Sequence, residues 1–215
     1  MIVIAPSLLA ANAGRYNEEI KSVEAAGAQY LHIDAMDGHF VPNLSFGPNI
    51  VEGIRPGSSL FFDVHLMIRH PERFVDSFVK AGADAITIHA EAADDINRFI
   101  EYCREKNVKA GIALSPQTPV NIIKEYLAEL DILLIMGINP GFGGQKFIPE
   151  ILMKIEQAKL LREKLNAGYL ISVDGGVNSD NAGMIKEMGA DILVAGSAVF
   201  GKSDRKAAIE EMMSA

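Results

Sequence analysis

The sequence predicts an α/β fold, and within that class a single (β/α)8 TIM barrel spanning residues 1–215, on three observations. Short runs rich in β-branched and aliphatic residues recur eight times, and the segments between them carry helical spacing. One junction repeats: "AAGA" (25–28), "KAGAD" (80–84) and "EMGAD" (187–191) each set a glycine where a helix needs a left-handed cap before a strand begins. No linker, charge block or low-complexity stretch divides the chain. Strict β–α alternation implies parallel strands with right-handed crossovers. Eight such units close into a barrel, for which 215 residues is a compact length. An open doubly wound sheet would usually begin on a glycine-rich turn, whereas the first turn here reads "APSLLAAN".

In chain order, the first run is IVIAPS (2–7), followed by the helical segment GRYNEEIKSVEAAG. QYLHIDAM (29–36) and LFFDVHLM (60–67) come next, and PERFVDSFVKAG has the helical period after the latter. AITIHA (85–90) leads into ADDINRFIEYCREK, and KAGIAL (109–114) and ILLIMGI (132–138) follow. PEILMKIEQAKLLREKL is the longest helical segment, before the last runs, YLISVD (169–174) and DILVAGS (191–197). Eight strands and eight helices are expected.

Composition narrows the function. With 49% hydrophobic and 22% charged residues the chain is an ordinary globular protein rather than a disordered one. A net charge of −8 argues against nucleic acid or an anionic membrane as partner. It leaves room for an anionic small molecule, because backbone amides hold phosphate without basic side chains. The single cysteine, Cys103, forms no internal disulfide and excludes a cysteine metal cluster. No apolar run approaches the ~20 residues of a spanning helix. The opening MIVIAPSLLAA lacks a basic segment and carries an early proline, unlike a signal peptide. A soluble cytoplasmic protein is expected.

The stretch YLHIDAMDGHFVPN (30–43) carries the first chemical signal. Alternate side chains of a strand share a face, so Tyr30, His32, Asp34 and Met36 point one way and Leu31, Ile33 and Ala35 the other. Barrel chemistry sits at the C-terminal ends of the strands. There the third run offers Asp63, His65 and Met67, the fourth His89, and the seventh Asp174 before Gly175 and Gly176. His89 and Asp63 read as satisfied core residues, and Asp37 and His39 as shapers of the following loop. His32, Asp34, His65 and Asp174 together suit a mixed nitrogen and oxygen site for a divalent metal. Met36, Met67 and Met136 fall at strand ends with inward parity, as core filler or as a polarisable wall of a site. Glycine-rich turns follow the last three strands: "NPGFGGQ" (139–145), "DGGV" (174–177) and "AGSAVFG" (195–201). With the Ser197 hydroxyl they suit a phosphate cradle.

The motifs "IAPSLLAAN", "HIDAMDGHFVPN", "DVHLM", "NPGFGGQKFIPE", "VDGGVN" and "VAGSAVFG" closely resemble the ribulose-phosphate 3-epimerases, from Ile4 to Gly201. The resemblance implies a barrel enzyme, an isomerase interconverting D-ribulose 5-phosphate and D-xylulose 5-phosphate in the pentose phosphate pathway. It implies one divalent cation, Zn²⁺ first, with Fe²⁺, Mn²⁺ or Co²⁺ as alternatives, held by His32, Asp34, His65 and Asp174. Asp34 and Asp174 would be the two acid–base groups, one on each face of a metal-stabilised enediolate. The substrate, a phosphorylated ketose, would meet Ser7, His65, Met36, Met67, Met136 and Asp174. Its phosphate end would lie against Gly141, Phe142, Gly143, Gly144, Gly175, Gly176, Gly196 and Ser197. Ala35, Gly137 and Ser172 depart from the family pattern, in which a larger aliphatic residue, Ser or Thr, and Glu respectively are usual; Ala35 points outward toward the helices, away from the site.

A D-allulose-6-phosphate 3-epimerase and a non-catalytic phosphosugar-binding barrel are the alternative readings. A decarboxylase would want a lysine beside the carboxylates, and the second and third runs contain none. A homo-oligomer is compatible with the sequence; metal identity is not legible in it.

Overall fold

The computed structural model describes residues 2–215, which form eight parallel strands ringed by helices. The strands are β1 (Val3–Pro6), β2 (Tyr30–Met36), β3 (Phe61–Met67), β4 (Ala85–His89), β5 (Lys109–Leu114), β6 (Ile132–Met136), β7 (Leu170–Asp174) and β8 (Ile192–Ala195). Neighbours pair in the order β1-β8-β7-β6-β5-β4-β3-β2, and a parallel bridge between Ser7 and His32 closes the ring. This is the expected (β/α)8 barrel, with every expected strand in place.

The helices are α1 (Tyr16–Ala25), α2 (Pro48–Ile54), α3 (Glu72–Ala81), α4 (Ile96–Glu105), α5 (Ile151–Leu165), α6 (Ser179–Glu187), α7 (Ser197–Phe200) and α8 (Arg205–Ser214). Their distribution departs from one helix per strand. The β5–β6 crossover carries a 3-10 helix, Val120–Ile123, and turns, while two helices follow β8. Pro119 opens this segment and Val120, Ile122 and Ile123 are β-branched, which disfavours an α-helix. Bonds from Tyr126 N–H to Ile123 and from Glu129 N–H to Tyr126 keep the tighter winding. Val120, Ile123, Leu127 and Leu130 still bury the face a helix would have buried.

Outward residues of the strands (Leu31, Ile33, Ala35, Phe62, Val64, Leu66, Ile86, Ile88) join the layer between sheet and helices. Burying each large aliphatic side chain there contributes roughly 1.5–3 kcal/mol before entropy is counted. The three junction glycines adopt left-handed φ: 95° at Gly27, 103° at Gly82 and 118° at Gly189. Asn107 and Asn166 do the same work after α4 and α5. In all five, the N–H one residue later reaches five residues back, as from Ala28 to Val23 and from Ala83 to Phe78.

Three aspartates that immediately precede strands, two of them ending repeated junctions, have a task at the N-terminal end of the barrel. Asp84 accepts the Phe62 N–H at 2.7 Å, Asp131 the Ala110 N–H at 2.9 Å and Asp191 the Ile171 N–H at 2.8 Å. Each carboxylate, just before an even-numbered strand, thus pins the second residue of the strand before it. A cation neutralises each: Arg55, Lys109 and Arg162 respectively. The Arg55 guanidinium also lies 3.6 Å over the Phe62 ring. Asp84→Ala should therefore cost about 2 kcal/mol, in the range for hydrogen bonds to charged groups. Thermal unfolding should show a loss of about 4–8 °C with turnover retained, since the opposite end of the barrel carries the chemistry. An unchanged melting temperature would show that the aspartates are not structural ties.

Candidate active site and metal centre

Register places the site. In β2, His32 and Asp34 point inward, and in the paired β3 the inward residues beside them are Asp63 and His65. Asp174 ends β7 across the barrel. Ser7, just past β1, donates its hydroxyl to Asp34 Oδ2 at 2.7 Å. His32, Asp34, His65 and Asp174 thereby present one ligand atom each, all within 4.8 Å of one another. His32 Nε2 lies 3.2 Å from Asp34 Oδ1 and 4.0 Å from Asp174 Oδ2. His65 Nδ1 lies 3.2 and 3.8 Å from the same two atoms. Two rings from different strands converge on two carboxylates.

Asp63 and His89 touch this group directly, so their reading as mere core residues is incomplete. Asp63 Oδ2 is 2.8 Å from His32 Nδ1, and His89 Nε2 is 2.9 Å from His65 Nε2. Inward parity two residues before His65 was the available signal for Asp63. Because a carboxylate only accepts, the His32–Asp63 bond puts the proton on Nδ1 and leaves a lone pair at Nε2. That buried Nε2 has no hydrogen-bond partner among the described residues. Asp37 behaves as expected, accepting the N–H groups of His39, Phe40 and Arg69.

The two carboxylates sit in unequal fields. Burial pushes the Asp34 carboxyl up, but the charges of His32 and His65 beside it pull the other way and hold it well below the usual range. Burial pushes Asp174 up to about 7, helped by the Asp34 charge. Burial alone would lower His32; Asp34 and Asp63 outweigh it and raise its affinity for a proton. His65 goes the other way, lowered by burial to about 4. An imidazole that attracts a proton, an orphaned lone pair and two adjacent carboxylates all ask for positive charge at their common centre. The residues fit a divalent metal.

Above the cluster opens a cleft of about 960 Å³. Ser7, Asp34, Met36, Met67, Met136 and Asp174 form its inner wall. Gly141, Phe142, Gly143, Gly144, Gly175, Gly176, Gly196 and Ser197 line the outer part, from the three glycine-rich turns. Met36 and Met67 pack with Val41, and Met136 with Ala113, Leu134 and Ile138. His65 and His32 lie beneath, fully buried. The cleft also meets Lys146 and Lys202, which no sequence pattern had singled out.

All three departures from the family pattern are buried in packing, Ala35 in the layer between sheet and helices. A Cβ at Gly137 would lie 2.5 Å from the Gly175 carbonyl oxygen and 2.8 Å from the Phe147 ring. Ser172, inward beneath Asp174, is fully buried and its hydroxyl has no partner among the described residues.

Comparison with known proteins agrees with this geometry. The barrel matches solved structures whose low identity speaks to fold alone. One is a 3-hexulose-6-phosphate synthase, with a TM-score of 0.68, 20% identity, and coverage of 99% of this chain and 96% of that one. Another is KGPDC from Streptococcus mutans, with a TM-score of 0.70, 14% identity, and coverage of 100% and 96%. Curated ribulose-phosphate 3-epimerases are much nearer in sequence. That of Bacillus subtilis is 52% identical over 213 residues, covering 99% of this chain and 98% of its own. That of Escherichia coli K12 is 41% identical over 213 residues, covering 99% and 95%. The model of the ribulose-phosphate 3 epimerase family matches residues 3–200, and with those relatives it shows that the chain belongs to that family.

Proposed function

We propose that this chain, acting as one catalytic domain, interconverts D-ribulose 5-phosphate and D-xylulose 5-phosphate by inverting C3. The observation that carries the reading is the pair of carboxylates, Asp34 and Asp174, held in unequal fields at the floor of a phosphosugar-sized cleft. Inversion needs one group to remove the C3 proton and a second to deliver a proton to the other face. Asp34, kept ionised by His32 and His65, suits removal. Asp174, whose affinity for a proton is raised by burial and by the Asp34 charge, suits delivery. After one turnover the protonation states are exchanged, so the pair is set for the reverse reaction until protons re-equilibrate.

His32, Asp34, His65 and Asp174 would hold the metal, with Zn²⁺ the first choice and Fe²⁺, Mn²⁺ or Co²⁺ alternatives, because two carboxylates make the donor set harder than a thiolate one. When bound, such an ion supplies Lewis acidity to the oxygens beside the reacting carbon. Ser7 orients Asp34 and meets the sugar, and Met36, Met67 and Met136 keep water from the inner wall. Backbone amides of Gly143, Gly144, Gly175, Gly176 and Gly196, with Ser197, take the phosphate; Gly141 and Phe142 close over it. Cys103, buried and with its thiol pushed up to about 12 by burial, suits a reducing cytoplasm. No helix among the described residues is long and apolar enough to cross a membrane.

Three outcomes test this. In D2O, metal-loaded protein given ribulose 5-phosphate should form xylulose 5-phosphate carrying deuterium at C3, visible by proton NMR; no product, or product without deuterium, would sink the reading. Asp34→Asn and Asp174→Asn, each shown to retain metal, should lose epimerisation by a factor on the order of 10²–10⁴. Each should keep slow C3–H exchange with one epimer only, and the epimer should differ between them; exchange of the same epimer by both would show the acid–base assignment to be wrong. Metal affinity should rise with pH, because the proton His32 attracts must leave before Nε2 binds an ion. The rise should be about tenfold per pH unit while His32 is protonated in metal-free protein. Chelator competition at several pH values measures it, and a flat profile would contradict the ligand role of His32.

A further inference from the structure

A line of hydrogen bonds leads from the candidate metal centre to the loops after β4 and β5. His65 Nε2 lies 2.9 Å from His89 Nε2, and the two buried rings stack with centroids 5.0 Å apart. His89 Nδ1 lies 3.1 Å from Glu91 Oε2. The other Glu91 oxygen, Oε1, accepts the Ser115 N–H at 2.8 Å and the Thr118 hydroxyl. Lys154 Nζ donates to the Ser115 carbonyl at 2.7 Å and steadies this outer end.

The direction of every bond follows from that outer end. A backbone N–H only donates, so Ser115 requires an oxygen at Oε1, and an ionised carboxylate only accepts. Glu91 Oε1 takes two donors and Oε2 faces the His89 ring, an arrangement that suits an ionised carboxylate. His89 therefore carries its proton on Nδ1. When His65 serves as a neutral ligand through Nδ1, its Nε2–H donates to the lone pair at His89 Nε2. His65 Nδ1, 3.2 Å from Asp34 Oδ1, then presents a lone pair; the hydrogen bond that this distance allows needs the other tautomer, with the proton on Nδ1, and the two arrangements compete. Asp63 does the same for His32 in one step; for His65 the task takes two residues.

We propose that Glu91 is a positioning residue for the metal centre: acting through His89, it selects the His65 tautomer whose Nδ1 donates to a divalent ion. This rests on the reading of His65 as a metal ligand.

Substitution at Glu91 separates this role from packing. In Glu91→Gln, Ser115 N–H keeps the amide oxygen, so the amide NH2 turns to His89. The side chain then donates where it accepted, His89 takes its proton on Nε2, and His65 is driven to carry its proton on Nδ1, where no metal can bind. Glu91→Ala removes the constraint without reversing it. Zn²⁺ affinity should thus fall in the order wild type, Glu91→Ala, Glu91→Gln, with the glutamine variant about 10–100-fold weaker than wild type. A residue that only packs would place the glutamine variant above the alanine variant, because glutamine is nearly isosteric with glutamate.

The experiment is chelator competition for Zn²⁺ on metal-free wild-type, Glu91→Ala, Glu91→Gln, Thr118→Val and His65→Ala proteins, with imidazole 15N NMR of zinc-loaded wild type. Thr118→Val, which loosens the same loop without touching His89, should bind Zn²⁺ close to wild type. The NMR should show His65 metallated at Nδ1 and protonated at Nε2. A glutamine variant that binds as tightly as wild type or more tightly than the alanine variant, or His65 metallated at Nε2, overturns the proposal. Wild-type affinity in His65→Ala removes instead the ligand assignment beneath it.

Discussion

Two carboxylates and two imidazoles held within 4.8 Å of one another, out of water, form the constraint that the rest of the structure serves. At about 4 Å two like charges repel by about 4 kcal/mol even at an effective dielectric near 20. Such a group stays together only if protons or a cation neutralise it and a rigid frame stops the side chains from turning away. The frame is the barrel. His32 and Asp34 are two positions apart on one strand, Asp34 and His65 are register partners, and the Ser7–His32 bridge closes the ring beside them. Ser7, Asp63 and His89 then fix the remaining freedom of the rings and of Asp34 by hydrogen bonds. Each protein group adjoining the cluster thus either accepts or donates in a direction that leaves lone pairs facing the centre.

Stability and chemistry occupy opposite ends of the same strands. At the N-terminal end, Asp84, Asp131 and Asp191 tie alternate strands to the backbone before them and are answered by cations. At the C-terminal end the chain carries glycine turns and an acidic, metal-seeking cluster. The separation lets the lower ties be altered without moving the upper groups, since parallel strands couple the two ends only through rigid backbone.

The loops after β6 and β7 are packed back to back. A Cβ at Gly175 would clash with the Ile138 side chain, and one at Gly176 would meet the Phe147 backbone nitrogen at 2.5 Å. Gly137 donates its N–H to the Asp174 carbonyl at 2.6 Å, so the strand that ends on Asp174 is also hydrogen-bonded to the neighbouring loop. Asn181 and Asn178 both donate to the Gly176 carbonyl while capping α6. The turn that lines the outer cleft is therefore set by contacts on both sides, and glycine at 137 follows from lack of room.

By itself the sequence determined the barrel, the strands and the four converging side chains of the candidate metal centre. Periodicity, the glycine caps and inward parity are local properties, written along a few residues at a time, and motif resemblance carried the family. The helix expected after β5 failed because proline and β-branched residues altered the winding while keeping the same buried face. Only the tertiary structure decided what Asp63, His89 and Glu91 touch. Asp63 and His32 are 31 residues apart, His65 and His89 are 24 apart, and Glu91 meets Ser115 across another 24. No local pattern records which ring nitrogen faces which oxygen, because hydrogen-bond direction depends on side chains that meet only when the strands are laid side by side.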